Sequence, residues 1–135
     1  MFSTWSEKDR KPTLFTRDGK GTPMYGICHW EIFTDDLEKG TSVYKELFGW
    51  TIEPWMEGYA GIKTGEGQIG GGLAKMDKPG VTLYVEVPDI EAMLAKAQGL
   101  GATVAVPKTA LPNDMGAFAV FQAPNGTQIG IWAKS

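Results

Sequence analysis

The single histidine, His29, stands two residues before Glu31 in the run Cys28-His29-Trp30-Glu31-Ile32-Phe33. Side chains two apart on a β-strand share a face and lie about 7 Å apart. An extended backbone here therefore sets an imidazole beside a carboxylate, with Phe33 next on the same face. Two chemistries suit that pair. A carboxylate can orient an imidazole as a general base, or the two can ligate Zn, Mn or Fe, with Glu86 as a third donor. A hydrogen-bonded structural histidine is the third reading, and all three stay open on the residues alone. Glu31 and Glu86 also read as partners for Lys or Arg, or as solvated groups; buried together, one would have a raised pKa.

Other tempting motifs lack the context their chemistry needs. Gly65-Glu66-Gly67-Gln68-Ile69-Gly70 spells G-x-G-x-x-G, but no helix follows before Asp77-Lys78-Pro79, so it reads as a glycine-rich turn. Cys28 and His29 are adjacent, and neighbours on a strand point to opposite faces, which excludes a thiol–imidazole dyad. As the only cysteine, Cys28 cannot form an internal disulfide.

The elements that carry these residues follow from periodicity. Tyr25 to Thr34 reads as a strand. Asp35-Asp36 offers an N-cap to a helix through Leu37, Val43, Tyr44, Leu47 and Phe48, which Gly49 ends. Trp50 to Trp55, Tyr59 to Thr64 and Gln68 to Met76 read as three short strands. The order then recurs. Thr82 to Val87 alternates, Pro88-Asp89 opens a helix to Gly101, and Thr103 to Val106, Met115 to Gln122 and Gln128 to Lys134 complete three more strands, with Pro124-Asn125-Gly126 as a turn. Asp36-Leu37-Glu38 matches Asp89-Ile90-Glu91, Gly49-Trp50-Thr51-Ile52 matches Gly101-Ala102-Thr103-Val104, and Gln68-Ile69-Gly70 matches Gln128-Ile129-Gly130. An internal duplication is a stronger statement of fold than any single propensity.

At 135 residues the chain is one ordinary domain, with 1–23 read as a polar N-terminal arm and 24–135 as the domain, module one over about 24–78 and module two over about 79–135. Thirteen basic against sixteen acidic residues leave a net charge of −3, which argues against binding the nucleic-acid backbone. No apolar leader and no run of about 18 apolar residues is present, so a cytoplasmic protein with no membrane span is expected. Glycine, at 18 residues, is about twice its usual frequency and points to many tight turns.

With these elements in place, the sequence resembles the glyoxalase/bleomycin-resistance superfamily, the vicinal oxygen chelate proteins. The likeness rests on His29-Trp30-Glu31-Ile32 followed by Asp36, on Val43-Tyr44-Lys45-Glu46-Leu47-Phe48-Gly49-Trp50, on Ala123-Pro124-Asn125-Gly126-Thr127-Gln128-Ile129, and on the duplication. It implies an α+β fold in which two βαβββ modules form a U-shaped mixed sheet around one cleft, holding a divalent metal with substrate or a metal-free ligand. Metal donors in that family come from the first and last strands of each module. Here those positions fall on His29, Thr82, Gly130 and the stretch Gly70-Gly71-Gly72, a single donor where a catalytic Zn site needs about three. No metal or other cofactor is therefore expected, a rebuilt His29, Glu31 and Glu86 set being the route by which a cation would return.

If His29 faces the cleft, alternation places Glu31 and Phe33 there too, together with Thr82, Tyr84 and Glu86, and with Gln128 and Trp132 around Gly130. The glycines are expected to leave room for a ligand against the backbone. The leading expectation is a protein that binds a small, partly apolar or aromatic molecule through Phe33, Tyr84, Glu86, Gln128 and Trp132. Whether it is an enzyme stays open. One alternative is a glyoxalase-type lyase or isomerase moving protons through His29 and Glu31; another is a regulatory or interaction module with a vestigial cleft. The resemblance also implies a homodimer.

Overall fold

The computed structural model describes residues 25–135, and the arm expected over 1–23 lies outside them. Ten elements follow in order: β1 (Ile27–Thr34), α1 (Leu37–Phe48), β2 (Thr51–Met56), β3 (Tyr59–Lys63), β4 (Gly71–Lys75), β5 (Val81–Glu86), α2 (Ile90–Gly99), β6 (Thr103–Ala110), β7 (Ala117–Gln122) and β8 (Gln128–Ala133). The β-α-β-β-β order occurs twice, so the fold is α+β and duplicated. In the first module the strands lie in the order β2-β3-β4-β1, and in the second β6-β7-β8-β5. Each has one parallel pair, β1 with β4 and β5 with β8, the others being antiparallel. The crossover helix of each module makes that parallel pairing possible. No helix among the described residues is long and apolar enough to cross a membrane.

Both helices start as their sequences dictate. The Asp36 carboxylate accepts the Lys39 N–H at 3.0 Å, and the Asp89 carboxylate accepts the Ala92 N–H at 3.0 Å, each satisfying one of the donors a helix N-terminus leaves open. Gly49, at φ 69°, ends α1 in the left-handed conformation that glycine adopts without a Cβ penalty.

Strand alternation sorts the side chains as the period requires. In module one Trp30 and Ile32 turn towards α1 and pack with Leu37, Tyr44 and Trp50 against Ile52, Ala60, Ile62 and Leu73. In module two Val87, Ile131, Ala133, Ala117 and Ala119 meet Ile90 and Leu94 of α2. The two helices differ in depth. α2 buries Ile90 and Leu94, whereas α1 buries no residue fully and leaves Val43, Leu47 and Phe48 exposed.

One strand is longer than its sequence suggests. β6 runs on past Val106 to Ala110, through Pro107. Proline lacks a ladder donor and is tolerated at edges and bulges, and β6 is the outermost strand of its module, with register shifts on both sides of Val106. Ile90 is wholly buried, so Ile90→Ala should lower the stability read by urea unfolding by about 2–5 kcal/mol. Val43→Ala, on the exposed face of α1, should change it by less than about 0.5 kcal/mol.

Candidate functional site

The face of module one turned away from α1 carries His29, Glu31 and Phe33 of β1 in the expected alternation. Glu31 lies opposite Gly72 of β4, and Gly72 lies opposite Gly61 of β3. Two positions before Gly61 on β3, Tyr59 shares that face, and its hydroxyl reaches back across Gly72. A Cβ on Gly72 would overlap the Tyr59 hydroxyl, so only glycine admits the phenol there. The Tyr59 ring is braced edge-on by Trp55, with centroids 5.7 Å apart. The expected space above these glycines is thus filled by the protein's own ring.

Tyr59 defines the state of the histidine. Its hydroxyl lies 2.8 Å from His29 Nε2, and the nearer Glu31 carboxylate oxygen is 3.9 Å from the same nitrogen. His29 has no solvent exposure. Burial pushes its pKa from 6.5 down to about 3, against an upward pull from a hydrogen bond to the Gly70 backbone. The imidazole is therefore neutral at physiological pH, and its contact with Glu31 is not an ion pair. In the tautomer with the proton on Nδ1, the Tyr59 hydroxyl donates to Nε2.

Module two repeats the device with other residues. Tyr84 of β5 lies opposite Gly130 of β8, and a Cβ on Gly130 would overlap the Tyr84 ring. Phe118 of β7 meets that ring edge-on at 6.3 Å. Glu86 lies opposite Trp132, and both are buried; the Trp132 indole donates to the Met115 carbonyl at 2.9 Å. Gln128 begins β8 on the same face and is exposed. Tyr84, Glu86 and Trp132 thus come together, with Gln128 at the solvent end of their row. Phe33 is half-buried in module one, its ring against Gly80.

These donors do not fit a catalytic metal. Among the described residues no three His, Cys, Asp or Glu side chains are grouped to hold a cation, and the His29–Glu31 contact supplies two donors where a site needs about three. His29 Nε2, the nitrogen nearest Glu31, already faces the Tyr59 hydroxyl. Three participants went unread in the sequence: Tyr59, Phe118 and the Met115 carbonyl. Tyr59 could have been found only from the β3–β4 register, which places it diagonal to Gly72.

The sequence matches none of the curated proteins. Residues 27–65 match the model of the family described as bleomycin resistance protein-like N-terminal. Among solved structures, the Mn(II)-bound glyoxalase from Novosphingobium aromaticivorans is 15% identical with a TM-score of 0.61, over 82% of this chain and 40% of that one. The chain thus spans less than half of that enzyme's length. Methylmalonyl-CoA epimerase from Mycobacterium tuberculosis is 16% identical with a TM-score of 0.60, over 82% of this chain and 88% of that one. A glyoxalase/bleomycin resistance protein/dioxygenase superfamily member from Vibrio splendidus is 13% identical with a TM-score of 0.60, over 82% and 99%. At such identities the likeness is one of fold. The chain thus has the fold of glyoxalase/bleomycin resistance/dioxygenase superfamily structures, and its residues 27–65 match the bleomycin resistance protein-like N-terminal family.

Proposed function

We propose that this protein binds a small, partly apolar organic molecule without a metal, with Phe33, Tyr84, Glu86, Gln128 and Trp132 as its contact residues. The observation that carries this reading is the Tyr59–His29 hydrogen bond over Gly72. It ties up the one imidazole and replaces a charged donor by aromatic surface with a polar tip, a surface suited to organic ligands. The match of residues 27–65 to a bleomycin resistance protein-like family supports the same direction.

Proton transfer by His29 is the weaker reading. General-base catalysis is most efficient when the base has a pKa near the working pH, and an imidazole with a pKa of about 3 is far from it. An interaction module is the second reading, favoured by the exposed Leu47 and Phe48 on α1. The same apolar face is where a homodimer would find its contact.

Thermal-shift and native mass spectrometry with bleomycin, phenols, aromatic thioethers and acyl-CoA thioesters test the binding reading. A one-to-one complex that survives EDTA is expected. A complex that forms only with Mn(II) or Zn(II), or no complex with any of these compounds, would contradict it.

His29 also gives the stability a pH dependence. Its folded pKa lies below the unfolded value, so the unfolded chain binds a proton that the folded chain refuses, and stability falls as pH drops from 6.5 towards 3. The loss should approach about 1.4 kcal/mol per pH unit below pH 6. Urea midpoints between pH 7 and 4.5 should show this slope in the wild type and a shallower one in His29→Gln. Equal slopes would mean that His29 is not the group responsible.

A further inference from the structure

The duplication allows one module to serve as a template for the other. Where α1 ends over its sheet, Trp50 fills the corner. Its ring lies 4.8 Å from Phe48, 5.5 Å from Trp30 and 5.9 Å from Tyr44, centroid to centroid. Aligning the modules on Gly49 and Gly101 sets Trp50 against Ala102, Phe48 against Leu100 and Tyr44 against Lys96; His29 against Thr82 sets Trp30 against Leu83. Module two therefore has no aromatic ring at any of the four positions.

Among the described residues the corner is open in consequence. Between the second half of α2 and the helix side of its sheet lies a groove of about 420 Å³, within the range of about 300–1,000 Å³ usual for ligand sites. Val85, Met93, Phe121, Ile129 and Ile131 make its walls, and Leu100, 74% exposed, is part of its lining. Among the described residues, Lys96 is the only charged one lining it. It stands where the template has the Tyr44 ring, in the last turn of α2, and forms no ion pair among the described residues.

We propose that this groove is a second binding site, on the opposite face of the module-two sheet from Tyr84 and Trp132, and that it takes an aromatic carboxylate. The ring system occupies the place that the indole of Trp50 holds in module one. The carboxylate meets the Lys96 ammonium, the one cation among the described residues of a lining that is apolar apart from Lys96 and the Tyr25 phenol. The ring supplies the apolar area that Ala102 cannot, and the lysine selects an anion over its neutral counterpart.

Titration of the full chain with 2-naphthoate and with neutral 2-naphthamide, followed by calorimetry and amide chemical shifts, tests the site. Naphthoate should bind, with shifts centred on Met93, Lys96, Phe121 and Ile129. Lys96→Gln should weaken naphthoate about tenfold, equivalent to 1.4 kcal/mol, and leave naphthamide unchanged. Ala102→Trp, which installs the residue of the template, should abolish both without lowering the melting temperature. Leu100→Glu, at an exposed position, keeps the test valid if the tryptophan variant does not fold, and should weaken naphthoate. Absence of naphthoate binding, equal affinity in Lys96→Gln or Leu100→Glu, or shifts confined to Tyr84 and Trp132 would overturn the proposal. So would a dimer that Leu100→Glu dissociates, since the groove would then be covered by a second copy.

Discussion

A tyrosine ring laid over a glycine is the contact on which the rest of the site depends. Tyr59 crosses Gly72 in the first module, and Tyr84 covers Gly130 in the second. In both, the missing Cβ admits the ring. Over Gly72 the phenol hydroxyl reaches His29 and holds a buried, neutral imidazole. Burying such a group without a partner would cost free energy, so the hydroxyl both satisfies the imidazole and occupies the nitrogen nearest Glu31. On the proposed reading, the same contact weighs against both a metal site and a general base at position 29.

The two modules share a fold but divide its tasks differently. Module one closes the corner under its helix with Trp30, Tyr44 and Phe48, three rings that each contact Trp50. Among the described residues, module two leaves the corresponding corner open and instead buries α2 through Ile90 and Leu94. Shorter side chains at the corner are tolerated because these two aliphatic anchors hold the helix. Duplication thus supplies two copies of one scaffold, of which only one must be filled with its own side chains.

Much of this was legible in the sequence, because the informative signals were local and periodic. The Asp36 and Asp89 caps, the Gly49 stop and the alternation of Trp30 and Ile32 against His29 and Glu31 are set by neighbours within a few residues. The repeat fixed the element order. What could not be read were relations that depend on strand register. Tyr59 meets His29 only because β3 pairs with β4 in the observed register. The glycines therefore looked like room for a ligand when they are seats for tyrosines. The strand expected to end at Val106 runs on through Pro107, which an outer strand with a shifted register accommodates. The groove beside Lys96 was invisible for a related reason: Ala102 is unremarkable until the structure sets it against Trp50.

Because His29 is the only histidine, its imidazole gives a single, unambiguous set of carbon–proton NMR signals. Following those signals from pH 8 to pH 4.5, and during addition of Zn(II) at pH 7, tests the central claim most directly. A buried imidazole bonded to Tyr59 should show no titration step in that range and no response to zinc. A step near the ordinary pKa of 6.5, or a shift that saturates at one equivalent of zinc, would contradict the account.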